Sequence, residues 1–166
     1  MFKVDRNAVS KGTYIKTAGI YSGTIAFPKT IECTPKGDTK VSLQYTTENG
    51  ETAQDDFINI EKMWFKLNVL LAAVDPDGTK ITIGDGAVMD LTKGQEFISF
   101  LKQFDGHTLK FAVWPEKFQK QDGTQGTAYR VKPMDPRKTT AQLPPNARDA
   151  IKAAQLAAEG PDEVPF

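Results

Sequence analysis

The sequence predicts a mostly-β domain with minor helix, and three observations carry that reading. Thr39–Thr47 alternates Val41, Leu43 and Tyr45 against Lys40, Ser42 and Gln44, the period of a half-buried strand. Asn49-Gly50 follows at once, the strongest short hairpin signal, and Glu51–Ile58 returns as the partner strand. Met63, Trp64, Leu67, Leu70, Leu71 and Val74 then recur at spacings of three and four, which predicts an amphipathic helix that Asp75-Pro76-Asp77-Gly78 stops.

The other elements follow in chain order. Residues 20–34 are rich in β-branched and aromatic side chains and read as one long strand, with Pro28 marking a bend, a bulge or an edge because it cannot donate to a central ladder. Thr34-Pro35-Lys36-Gly37-Asp38 supplies the turn into the next strand. After the first helix, a short strand is expected at 80–83, then a loop holding Gly84-Asp85-Gly86. A second helix is marked by Phe97, Phe100, Leu101 and Phe104 and ended by Asp105-Gly106. Residues 108–118 alternate again, a polar stretch from Gln121 to Gly126 turns the chain, and a last strand is expected over 127–132. Residues 133–145 hold Pro133, Pro136, Pro144 and Pro145 and read as a linker; Asn146, with Asp149 three positions on, opens a short Ala-rich helix. Three antiparallel strands, a helix and a further hairpin is the order of an OB-fold, a small Greek-key barrel, with a helix inserted before its last hairpin. A sandwich or a ferredoxin-like α+β domain fits the pattern as well.

Composition narrows the class. A chain of 166 residues, 39% hydrophobic and 25% charged, is long enough for one domain with a core. No run approaches the roughly 20 apolar residues of a membrane span, and the start, Met1-Phe2-Lys3-Val4-Asp5-Arg6, lacks the apolar stretch of a secretory signal. A single cysteine, Cys33, excludes an internal disulfide framework and fits a reducing cytoplasm; it is expected to be buried and inert. With one cysteine and one histidine, His107, no His/Cys zinc site can form. The 21 basic and 21 acidic residues cancel, yet without Glu159, Asp162 and Glu163 the rest of the chain holds three cations in excess. Modest positive charge is enough for nucleic acid where the cations line one groove.

The chain ends Pro161-Asp162-Glu163-Val164-Pro165-Phe166. Pro165 fixes its own φ and steers Val164 away from helix, so the tip stays extended with Phe166 held out for an apolar pocket and its carboxylates for basic groups. This ending resembles the acidic tip of bacterial and phage single-stranded DNA-binding proteins. The match covers only the last five or so positions; the acidic run is short, and a long Gly/Gln/Pro linker is missing. The resemblance implies an OB-fold body that coats unpaired DNA in replication, recombination and repair. It also implies a tip, Asp162, Glu163, Val164, Pro165 and Phe166, that recruits DNA-processing enzymes in a bacterial cytoplasm. It favours the OB-fold among the three architectures. The chain then divides into an OB body over 1–132, a linker and short helix over 133–158, and a docking tip over 159–166.

Sequence-tolerant DNA binding needs aromatic faces and cations on one exposed surface. In the strand from Thr108, Leu109, Phe111 and Val113 fall on one side as core, while Lys110 and Trp114 fall on the other, with Phe118 and Lys120 of the same parity. Arg130 and Lys132 of the closing strand stand beside that face. Trp114 has a second reading, as a rim or core residue under the inserted helix. Lys40 and Lys29 are further candidates, as are Tyr14 and Lys16 near the N-terminus. Trp64, Phe65, Phe97, Phe100 and Phe104 sit at helical spacing and are expected in the core.

Catalysis finds no support in the sequence, and no cofactor is expected. An EF-hand loop from Asp75 would need a carboxylate at its twelfth position, where Gly86 stands. A magnesium nuclease built on scattered aspartates such as Asp75, Asp85 and Asp90, and an adaptor that docks through the tip without touching DNA, are the alternatives in other classes.

Overall fold

The computed structural model describes residues 13–82 and 89–159. Its strands are β1 (Thr13–Tyr14), β2 (Gly19–Ala26), β3 (Glu32–Cys33), β4 (Thr39–Thr47), β5 (Glu51–Ile58), β6 (Thr108–Gln119) and β7 (Gln125–Met134). The helices are α1 (Trp64–Val74), α2 (Gly94–Lys102) and α3 (Pro145–Glu159). One sheet runs β1-β5-β4-β2-β6-β7, with β3 also paired to β4, and curls strongly into a half barrel. The five long strands lie third, second, first, fourth, fifth in chain order, with β5 and β7 approaching each other across the mouth, so the mostly-β architecture is OB-like.

The predicted long first strand is two pieces on the same neighbour. Ala26 pairs with Gln44 and Glu32 with Lys40, so β2 and β3 run in line along β4 with a break at Pro28. In the break the Phe27 amide donates to Asp105 Oδ1 at 2.8 Å instead of to a strand. Gly23 lies where β2 is held between β4 and β6. A Cβ there would stand 2.9 Å from the Thr46 carbonyl oxygen and 3.0 Å from the Phe111 ring. Cys33, expected buried, is exposed, because β3 is a two-residue piece beyond the bend with both side chains in solvent.

Two cores form on opposite sides of the sheet. Inside the curl, Ile25, Val41, Leu43, Tyr45, Phe57, Phe111 and Val113 meet Leu67 and Leu70 of α1 and Phe97 and Leu101 of α2. Burying one such large aliphatic or aromatic side chain contributes about 1.5–3 kcal/mol. On the outer side, Ala112, Trp114 and Met134 pack under Leu143, Ala147 and Ile151. The proline-containing stretch 133–145 is therefore folded down onto the sheet. Lys132 Nζ donates to the Gln142 carbonyl at 2.8 Å, and the Asp135 amide donates to Gln142 Oε1 at 2.9 Å.

The strand expected at 80–83 is absent over its described residues 80–82, which form bends. The Asp75 carboxylate accepts the amides of Thr79, Lys80 and Ile81, so these donors wrap around one side chain and have none left for a ladder. Burial pushes this carboxyl up, but the amides of Ile81, Lys80, Thr79 and Gly78 together hold it below the usual carboxylate range.

Candidate nucleic-acid interface

The β6–β7 register settles which side chains share a face. Lys110 stands opposite Met134, Ala112 opposite Lys132, Trp114 opposite Arg130 and Phe118 opposite Gly126. Directly opposed residues of an antiparallel pair point to the same side, so Lys110, Trp114 and Phe118 share the outer face with Arg130 and Lys132. The grouping expected from parity is therefore present.

The two ends of that face differ. At the root, Trp114 is 6% exposed inside the outer core, and its Nε1 is buried without a hydrogen-bond partner. The stacking reading of Trp114 is thereby corrected: the stretch from Leu143 to Ile151 covers it. At the tip, Phe118 is 43% exposed, and its ring and the Lys120 stem both lie over Gly126, where a Cβ would meet Phe118 Cζ at 2.6 Å. Gly126 is thus the space in which the ring rests. Arg130 Nε lies 3.4 Å from Glu116 Oε2, an exposed pair worth less than about 1 kcal/mol that a phosphate can compete for.

The other candidates lie on a separate part of the sheet's outer side. Ile15 turns inward, its amide donating to the Thr52 carbonyl, which leaves Tyr14 and Lys16 outside. Tyr14 and Lys29 line a cleft of about 450 Å³ with Gln44 and Gln54. Lys40 sits 3.6 Å from both Glu32 and Asp56, so two carboxylates already neutralise it. These residues and the hairpin are not brought into one groove.

Phe65 was missed. It is 67% exposed on α1, where helical spacing suggested core. Beside it a groove of about 560 Å³ runs between α1 and β7, with Trp114, Arg130 and Lys132 also in its walls. The signal that could have found Phe65 is the excess of apolar positions in α1, more than one buried stripe can use.

Lys66, next to Phe65, reaches into the barrel. Its Nζ is 2.5 Å from Asp55 Oδ1, donates to the Asp56 carbonyl at 2.6 Å and stands 4.4 Å over the Phe57 ring. Tyr45 donates to Asp55 Oδ2 at 2.7 Å. Burial pushes the Asp55 carboxyl up more than Lys66 and Tyr45 pull it down, and burial with Asp55 alongside pushes the Tyr45 phenol well up. Tyr45 is fully buried and Asp55 is 3% exposed, so this chain of groups ties α1 to the barrel and has no access to a substrate.

Among the described residues no group of three or more His, Cys, Asp or Glu could hold a metal ion, and no helix is long and apolar enough to cross a membrane. Asp75 is occupied by backbone amides, while Asp90 is bonded to the Thr92 hydroxyl. Asp85 and the tip residues Asp162, Glu163, Val164, Pro165 and Phe166 lie outside the described residues. No protein-family model matches this chain, and neither does any curated protein.

Proposed function

We propose that this protein binds single-stranded DNA without strong sequence preference and recruits DNA-processing enzymes through its acidic Pro-Phe tip, in the cytoplasm of a bacterial host. The observation that carries the reading is the hairpin tip. There an exposed ring, Phe118, lies with the Lys120 stem over Gly126 on an OB-like body, and Arg130 stands four positions along the same face, opposite Trp114; none of the three is buried in either core. Rings that stack on bases and cations that follow phosphates are the two things a sequence-tolerant binder requires.

The test is a fluorescence anisotropy titration of labelled oligo-dT against a duplex of equal length. Tight binding of oligo-dT with weaker binding of the duplex supports the reading. An adaptor that works through the tip alone leaves both probes free, and a nuclease shortens them when magnesium is added. An acidic tip that competes with DNA predicts that removing the last residues tightens binding in dilute salt. Unchanged affinity after the deletion would remove that competition.

A further inference from the structure

The helix α1 has two apolar faces, and the barrel uses only one. Leu67, Leu70, Ala73 and Val74 are buried, while Phe65, Val69 and Ala72, at i, i+4 and i+7, line hollows on the opposite side. A second apolar stripe on a short helix is unusual unless something covers it. The facing wall is cationic. Two adjoining hollows of about 560 and 810 Å³ share Phe65, Val69, Lys132 and Gln142. Together they are lined by Arg130, Lys132, Arg137 and Lys138, with Glu116 beside Arg130 and Asp135 beside Arg137, while Lys66 on the same helix turns its charge to Asp55.

We infer that this groove is the continuation of the nucleic-acid path: single-stranded DNA passes from the hairpin tip over Arg130 and Lys132 and lies between α1 and the 138–142 segment. An unpaired strand has bases on one side and phosphates on the other. That amphipathy matches a groove with an apolar wall at Phe65, Val69 and Ala72 and a cationic wall at Lys132, Arg137 and Lys138. Arg130 and Lys132 belong both to the hairpin's outer face and to the groove, so the two surfaces are continuous. Phe65 is the stacking residue of this second segment. Lys66 is a positioning residue, because its bond to Asp55 fixes the helix that carries Phe65.

The inference rests on the single-stranded DNA reading, and its test separates the two. Labelled oligo-dT is titrated into the full chain and into Phe65→Ala, Lys138→Glu and Phe118→Ala, each checked for an unchanged thermal unfolding curve. Phe65→Ala is expected to weaken binding roughly tenfold, and Lys138→Glu to flatten its salt dependence. If both bind as the parent does while Phe118→Ala is weakened, the strand never enters the groove, and the hairpin reading survives alone. If the parent ignores oligo-dT, both fall together. An oligoglutamate of matched charge that competes as well as oligo-dT would also overturn the inference, giving the groove to an acidic peptide.

Discussion

The root and the tip of the β6–β7 hairpin are built from the same kinds of residue and meet opposite fates. At the root, Phe111 and Val113 face the barrel interior, Ala112 and Trp114 face the outer core, and all four are buried. Towards the tip, Phe118 and Tyr129 are 43% and 39% exposed, and Lys117 and Lys120 stand in solvent. The root is held on both sides because the C-terminal segment folds back over it, and the tip extends past that cover. An aromatic residue near Trp114 is therefore explained by packing. The ring at Phe118 is not, and a surface role has to account for it.

Breaking the root should have the largest consequence. Trp114→Ala leaves a cavity between β6 and α3 and is expected to cost about 3–5 kcal/mol, read from the shift of a urea unfolding curve. A loss below about 1 kcal/mol would mean that α3 does not clamp the sheet.

A smaller effect is expected at Asp135, the residue after the end of β7. Hydrogen bonds from the Arg137 guanidinium hold its carboxyl below the usual range. Its folded pKa is depressed, so its contribution is present above the unfolded value near pH 4 and is lost as pH falls through the folded value. Asp135→Asn should therefore destabilise on the order of 1 kcal/mol at neutral pH, with the gap to the parent closing in acid. A gap that widened on acidification would reverse the assigned sign. Asp55 has the opposite direction, since burial raises its carboxyl, and by itself it favours the folded state as pH drops into the carboxylate range.

The tip should respond in the other currency, affinity. Phe118→Ala is expected to leave stability within about 0.5–1 kcal/mol of the parent while weakening oligo-dT binding roughly tenfold. The mildest change is Gly126→Ala, whose new methyl meets first the far ends of Phe118 and Lys120. Stability should move by less than about 0.5 kcal/mol. A fall in affinity would show that the ring must rest on the strand to work, and an unchanged affinity that it need not.

Much of the barrel was legible because its signals are local. The bounds of β4 and β5 follow from the alternation of Val41, Leu43 and Tyr45 and from Asn49-Gly50, and α1 from the spacing of Leu67, Leu70 and Val74. The misreadings are of two kinds. Where the deciding contact is distant, sequence does not display it: nothing near Trp114 announces that Leu143, Ala147 and Ile151 will cover it. Where one side chain takes the backbone donors, pattern misleads. Residues 80–82 read as strand, yet Asp75 removes their amides from any ladder. The candidate interface was half legible. Parity placed Lys110, Phe118, Arg130 and Lys132 on one face, but helical period assigned Phe65 to the core, and it stands exposed on the other side of α1.

The most direct measurement is the salt dependence of oligo-dT affinity for the full chain. A surface of rings and cations gripping an unpaired strand predicts binding that is tight in dilute buffer, with log K falling linearly as log salt rises. No binding at low ionic strength, or an affinity indifferent to salt, would contradict it.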